Sequence, residues 1–514
     1  MTDLEEFKSL LAEISDLSGI AAIAGWDKET QMPKGGADTR ATQMSTLARV
    51  IHLKNTAPRI GALLSNLEPE LGVSDTIDGA LVRLMRLEYE RRSKLPADFV
   101  AEFSKARSVA GSVWETARPR NDFKSFQPHL EKMFEYTRRA ADLYGYDSHP
   151  YDALLWDFDP GLQTAHIKDI FTEIRAFTVP LLKRIVAAGE TVDYTILERS
   201  FPIDAQRAFA LEVAQAFGYD LERGRLDVTA HPFATNFSRD DVRITTRFSE
   251  NYFPMAFYGV LHETGHAMYE QNTASELRRT PLARGAWSTA HESQSRLWEN
   301  LVGRSEAFWQ HWMPRARQHF TSLADVDAAL MYKLVNRVQP SLIRVEADEL
   351  TYNLHIMLRF ELELAVLEDR LKVGELPEAW GAKMQEYLGI TPPDDRDGVM
   401  QDIHWSSGYF AYFPTYSLGN ILSVGLFEKA ESQMGDLHAM FARGEFKPLL
   451  HWLTHAMLRH GKTYLPTELI ERATGSSLSA APYLRYLTRK FSGIYNLESV
   501  ELNPLPLTGV SEAS

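Results

Sequence analysis

The chain has 514 residues, a formal net charge of −14 and no cysteine. Its 44% hydrophobic and 24% charged composition is that of an ordinary globular protein, long enough to bury a large core. The acidic balance argues against a nucleic-acid partner, whose phosphates demand a basic face. Without thiols there are no disulfides, and any metal must be held by nitrogen and oxygen ligands.

At the N-terminus, Thr2–Leu17 places apolar residues three and four apart with charges between them, which predicts an amphipathic helix. This start is acidic and lacks the basic opening and apolar run of a signal peptide. The apolar run GIAAIAG at 19–25 is far too short to span a bilayer. A cytoplasmic protein with no membrane partner is expected. Asp78–Arg92 and Asp348–Leu371 repeat the helical spacing, and Pro33, Pro96, Pro150, Pro160 and Pro392–Pro393 punctuate such runs. From Arg225 to Phe248, RLDVTAH and DVRITTRF alternate apolar and polar residues and carry β-branched side chains. They predict a small antiparallel sheet or hairpin. The sequon Asn236-Phe237-Ser238 inside it carries no meaning in the cytoplasm.

The string HETGH follows at His262–His266. Four residues advance about 400° along an α-helix, so both imidazoles share one face and can bind one metal ion. Glu263 projects beside them, where it can hold the attacking water. This is the zinc-peptidase pattern H-E-x-x-H. Tyr258, Leu261, Ala267 and Met268 supply the apolar positions of a buried helix. A catalytic zinc site needs three protein ligands and one open position. Glu270 lies a full turn past His266, too far down the same face to converge on the ion, and reads as a structural carboxylate. STAHESQSRLWEN offers a second helix with a possible cap at Ser288. Glu292 is the third-ligand candidate there, and Glu299, two turns on, reads as a supporting group. His291 is the remaining candidate in that stretch.

Beyond these helices, 394–415 is rich in Asp and Gly and then in aromatics, and reads as an ordered loop. His451 and His455 are also four apart, with His460 following, but no carboxylate intervenes, and a packed helix is the better account. LPLTG at 505–509 has the form of a sortase signal without the span and basic tail that would follow one. No repeat, low-complexity segment or linker interrupts the chain, which predicts one mainly α domain over 1–514.

Several motifs in order carry a resemblance. They are GWDKETQMPKGG at Gly25–Gly36, YDALL at Tyr151–Leu155, HPF at His231–Phe233, DVRITT at Asp241–Thr246, IRVEAD at Ile343–Asp348, GVMQDIHW at Gly398–Trp405, YFPTY at Tyr412–Tyr416 and LRHG at Leu458–Gly461. Together with HETGH and HES they resemble the carboxypeptidase Taq family, the M32 metallocarboxypeptidases, along nearly the whole chain. Ala411 departs from the glycine expected before YFPTY.

The resemblance implies a large helical domain with a deep active-site groove, and a homodimer. It also implies a carboxypeptidase of broad specificity, acting on peptides with a free C-terminus and using Zn2+, with Co2+ or Mn2+ also accepted by such ligands. His262, His266 and Glu292 would hold the ion and Glu263 would be the general base. His404 and Tyr416 would contact the substrate or its oxyanion. Tyr409 and Tyr412 are further substrate-binding candidates, with core packing as the alternative for Tyr412. Arg344 would bind the terminal carboxylate through its planar fork, the alternative being an intrahelical ion pair with Asp348. Arg243 reads as structural. Two competing functions remain: a helical zinc oligo-endopeptidase without the carboxylate clamp, and a non-catalytic metal-binding helical protein, in which Glu263 would have no task.

Overall fold

Local signals at the N-terminus extend further than their periodicity shows. In a computed structural model, which describes residues 1–190 and 192–497, the first helix runs Asp3–Thr30. Thr2 Oγ1 accepts the Glu5 N–H at 3.2 Å, and the Glu5 carboxylate accepts the Thr2 N–H at 2.7 Å. This reciprocal cap satisfies two donors that the helix start leaves open. The stretch at Asp78–Arg92 forms Ile77–Ser93, and Thr76 Oγ1 caps it by accepting the Gly79 N–H at 3.1 Å. The next predicted helix begins late, at Tyr352, and ends at Leu367. Asp348 stays outside it because its carboxylate accepts the N–H groups of Leu350 and Thr351, both at 3.0 Å. Arg344 is therefore not on a helix with Asp348. It sits in a 3-10 turn, Arg344–Glu346.

The strands are β1, Leu226–Val228, β2, Ala234–Ser238, and β3, Asp241–Thr246. They form one sheet in the order β1-β3-β2. β2 and β3 pair antiparallel, as the alternation predicts, with Ala234 opposite Ile244. β1 pairs parallel to β3, Leu226 opposite Ile244, so the sheet is mixed rather than antiparallel. The reason lies in β3, which carries fully buried Val242, Ile244, Thr245 and Thr246. It takes the centre and packs on the helix Phe253–Gln271, leaving the reversed strand β2 at one edge.

That helix, which carries HETGH, is anchored at its start by aromatic packing. Phe253 and Phe257 stack at 4.9 Å, with Phe209 at 5.2 Å from Phe257 and Phe320 at 5.2 Å from Phe253. A fully buried Phe contributes about 1.5–3 kcal/mol, so the cluster holds the helix firmly where its histidines begin. Against it lies the HES helix, Ser288–Arg296, which runs into a wider π-helical segment, Leu297–Val302. Ser288 does not cap this helix. Trp287 occupies the cap position in the left-handed region, φ 35°. The capping acceptor is Asp159, 130 residues away, whose carboxylate takes the Thr289 N–H at 3.1 Å and its hydroxyl at 2.8 Å.

His451 and His455 are exposed on the helix Lys447–Ala456. Among the described residues, only His262, His266 and Glu292 gather as a potential metal cluster. Among the described residues, no helix is long and apolar enough to cross a membrane. The LPLTG string lies outside the described residues.

The two site helices approach so closely at Gly265 that a Cβ there would lie 2.5 Å from the Gln294 carbonyl oxygen and 2.6 Å from Ser295 Cα. Backbone cannot swing aside as a side-chain tip can. Gly265→Ala is expected to cost at least about 1–3 kcal/mol by overpacking, lowering the urea midpoint with its slope unchanged. An unchanged midpoint would show that the helices part freely.

Candidate metal centre and active site

The turn spacing in HETGH puts both histidines on one face, and the close crossing brings Glu292 to it. Glu292 Oε2 lies 3.4 Å from His266 Nε2 and 3.8 Å from His262 Nε2. A tetrahedral ion with bonds of about 2.0–2.1 Å separates its ligand atoms by roughly 3.4 Å. The two distances from Glu292 come close to the edges of such a site, and all three ligand atoms lie within 4.8 Å of one another, so the donor set fits a divalent cation.

Each ligand is held from behind. His262 Nδ1 is 3.0 Å from Glu299 Oε2, which fixes the ring with Nε2 turned to the cluster. Glu292 Oε1 accepts the Arg296 Nε–H at 2.7 Å, leaving Oε2 toward the histidines. Arg304 Nη2 donates to Glu299 Oε1 at 3.1 Å. Burial opposes ionisation of Glu292, yet Arg296, His262 and His266 outweigh it and hold its carboxyl well below the usual range. Glu299 is likewise drawn down to about 2, its hydrogen bond from His262 and the charge of Arg296 overcoming burial. Burial pushes His266 down to about 4, so its ring is neutral and its lone pair available.

Glu263 is buried at 7% exposure. Burial, opposed by His262 and reinforced by Glu292 and Glu299, raises its carboxyl to about 7. A cation among the ligands would draw it down again. The ionised carboxylate is the form that can accept a proton.

The other candidates lie in the loop ahead of the helix Phe413–Met434 and in its first turn. His404 Nε2 is 3.3 Å from the Tyr416 hydroxyl, and its ring stacks on Tyr412 at 5.6 Å. Burial, opposed by Asp402, lowers His404 to about 4 and keeps it neutral. Burial first, and then the negative charge of Glu292, raises the Tyr412 phenol to about 12. Tyr416 shifts upward too, through burial, Tyr412 and Glu292 among other charges. Both phenols therefore feel the negative charge of the Glu292 carboxylate. Tyr409 is 52% exposed, 6.0 Å from the Tyr412 ring, at the rim of this cluster.

Arg344 is buried, and its guanidinium is already engaged. Nε and Nη2 donate to Asp402 Oδ1 at 3.0 and 2.8 Å, and Nη1 donates to the Tyr352 hydroxyl at 2.8 Å. The alternative partner, Asp348, plays no part in this contact. Arg344 lies 5.0 Å from the Tyr416 ring, and Arg296 lies 4.4 Å from the Tyr352 ring, which links the arginine to the metal side. Arg243 pairs with Asp241 and lies over Trp26 at 4.5 Å, a structural place on the sheet.

Several supporting residues escaped the sequence reading. Asp402 is one: its Oδ2 accepts from Arg359 Nε at 2.7 Å, so it joins two buried guanidinium groups. The motif QDIHW contains it, but nothing in the sequence names its partners. Glu363 is another, fully buried on an apolar helix and accepting from Tyr151, Trp405 and the Ala411 N–H at 2.6, 2.6 and 3.1 Å. Burial raises its carboxyl to about 7. That contact also explains Ala411, which adopts φ 62°. The glycine expected there would suit the left-handed backbone, and alanine is held in it by the hydrogen bond.

A helical fold with paired histidines on one helix and a glutamate from a second defines the class of HExxH metallopeptidases. A model of the carboxypeptidase Taq (M32) metallopeptidase family matches residues 6–491. The chain is 45% identical over 509 residues to thermostable carboxypeptidase 1 of Thermus thermophilus, covering 96% of this chain and 100% of that one. Carboxypeptidase 1 of Bacillus subtilis is 38% identical over 494 residues, with 96% and 99% covered. The crystal structure of the M32 carboxypeptidase from Deinococcus radiodurans R1 superposes with a TM-score of 0.94 at 42% identity, covering 97% of this chain and 100% of that one. The chain belongs to the carboxypeptidase Taq (M32) metallopeptidase family. It is accordingly a metal-dependent carboxypeptidase.

Asp402 gives a test of the site's electrostatics. Burial opposes its ionisation, but Arg344 and Arg359 hold its carboxyl well below the usual range. Such a depressed group stabilises the fold above its unfolded pKa, near 3.9, and loses that contribution as pH falls through the folded value. Asp402→Asn is expected to cost about 3–5 kcal/mol at neutral pH, because two buried cations lose their counter-charge. The gap between native and variant denaturation midpoints should narrow below about pH 4.

Proposed function

We propose that the chain removes C-terminal residues from peptides with broad specificity, using Zn2+ held by His262, His266 and Glu292. The observation that carries this reading is the gathering of those three ligand atoms within 4.8 Å of one another, with Glu292 Oε2 at 3.4 and 3.8 Å from the two imidazoles. The same nitrogen and oxygen donors accept Co2+ or Mn2+. The ion, when bound, supplies Lewis acidity toward water and the substrate carbonyl.

Glu263 takes a proton from the attacking water and returns it to the leaving amine. Tyr416 and neutral His404 donate hydrogen bonds where charge develops on the carbonyl oxygen, a role supported by their 3.3 Å contact with each other. Tyr412 and Tyr409 line the approach. Arg344 receives the terminal carboxylate with the N–H groups it does not give to Asp402 and Tyr352, and Asp402 fixes the plane of its fork. Residues 1–514 act as one catalytic domain with a deep groove, in a cytoplasmic homodimer.

The engagement of Arg344 by Asp402 favours one second reading, an oligo-endopeptidase that ignores the chain end. Paired peptides, one free and one C-terminally amidated, separate the two. The carboxypeptidase cleaves the free peptide far better, whereas equal rates establish the endopeptidase. Arg344→Lys keeps the charge but loses the fork. It should raise KM for free peptides about tenfold or more and leave amidated ones nearly unchanged.

Glu263→Gln tests the base. It should retain fold and metal content while kcat falls about 10²–10⁴-fold. Near-native turnover in this variant would remove Glu263 from the chemistry.

A further inference from the structure

The two histidines of HETGH are held differently. The Nδ1 of His262 meets a carboxylate directly, but the Nδ1 of His266 does not. His266 Nδ1 lies 2.6 Å from Nδ1 of His291, and His291 Nε2 lies 2.9 Å from Glu270 Oε1. Glu270 Oε2 in turn accepts the Asn236 side-chain N–H at 2.5 Å and the Gly285 backbone N–H at 3.0 Å. The Tyr269 ring stacks on His291 at 5.2 Å. Gly285 leaves room for the assembly, since a Cβ there would sit 2.5 Å from His291 Cδ2 and 3.1 Å from Glu270 Oε1.

Two ring nitrogens at 2.6 Å share one hydrogen. His266 Nε2 faces Glu292 Oε2 and gives its lone pair to the ion, so the single hydrogen of the neutral ring sits on Nδ1. It donates to His291 Nδ1, which must be bare. The His291 hydrogen is then on Nε2 and donates to Glu270. One requirement, a bare His266 Nε2, thus assigns every proton along the chain. It also makes His291 an acceptor toward His266 rather than a fourth ligand.

We propose that His291 is a positioning residue for the metal centre. It relays the charge of Glu270 to His266, fixes the metal-binding tautomer, and ties the ligand through Asn236 to strand β2. This rests on the reading of His262, His266 and Glu292 as the ligands. Carboxylate contacts of this kind typically change metal affinity about 10–100-fold when removed. Here the carboxylate acts through an intervening ring, so removing the ring should have the full effect.

The test is the Zn2+ Kd of the metal-free protein, measured by chelator competition, with thermal melting of the metal-free chain as the control for folding. The native chain should bind tightly and His266→Ala should not. A native chain without a tight site would overturn the ligand assignment itself and the relay with it. His291→Ala should weaken the Kd about 10–100-fold with the metal-free melt unchanged. His291→Asn, which keeps an acceptor oxygen near the place of Nδ1, should recover part of that loss. A His291→Ala chain that binds Zn2+ within about twofold of native, beside a tight native site, overturns the proposal alone. If His291→Ala fails to fold, Gly285→Ala replaces it: the added methyl displaces the His291 ring without deleting any group of the relay. Weaker binding supports the proposal there, and an unchanged Kd overturns it.

Discussion

Burying a cation site inside a helix crossing requires every buried carboxylate to have its own counter-charge, and the segment after Ser288 is built around that requirement. Glu292, Arg296, Glu299 and Arg304 alternate in sign along one face, each contacting the next. A lone buried carboxylate would cost several kcal/mol and would take up a proton instead. With Arg296 on one oxygen, Glu292 stays ionised and keeps its other oxygen turned to the two histidines, where the proposed cation would sit. The π-helical turn at Leu297–Val302 accommodates this spacing, and widened turns of that kind recur at functional sites.

A second buried carboxyl group organises the loop that carries His404 and Tyr412. Glu363 receives donors from a helix that begins at Pro150, from the QDIHW segment and from the backbone at Ala411. The helix that carries Tyr151 and two points six residues apart in the later loop, Trp405 and Ala411, are thereby pinned to one carboxylate, and the chain is held in a left-handed turn just before YFPTY. Tyr412 and Tyr416 owe their direction to that turn. The strain at Ala411, about 1–2 kcal/mol for a residue with a Cβ, is offset locally by the hydrogen bond it makes.

What the sequence made legible was whatever depends on fixed spacing along the chain. The pairing of His262 with His266 follows from helix geometry, coordination number requires a third ligand from elsewhere, and the family resemblance points to Glu292 for it. The place of Glu299 behind His262 follows from its two-turn offset from Glu292. Features that depend on distant partners were not legible. Asp159 caps the HES helix from 130 residues away, so Ser288 was the only local candidate. Asp348 took the role of a helix-start acceptor and Arg344 turned to Asp402, because the chain between them is a 3-10 turn and not a helix. The parallel pairing of β1 with β3 was hidden for the same reason, since alternation reports burial and not strand direction.

The charge balance across the site also bears on how a peptide would lie in it. Arg344 and Arg359 are two cations with one carboxylate between them, while burial keeps the neighbouring His404 and His355 neutral. That end of the site carries one net positive charge withdrawn from water. At the metal end, the charges of Arg296 and Arg304 are matched by Glu292 and Glu299, and Glu263 adds an anion once a cation is present to ionise it. A peptide on the proposed path would meet a cationic terminus and a compensated reaction centre within one cleft. Its own carboxylate is the one group on every substrate that completes the Arg344–Asp402–Arg359 set. On the proposed reading, the recognition energy would come from the charge that all free peptides share, and specificity for the terminal side chain would be broad.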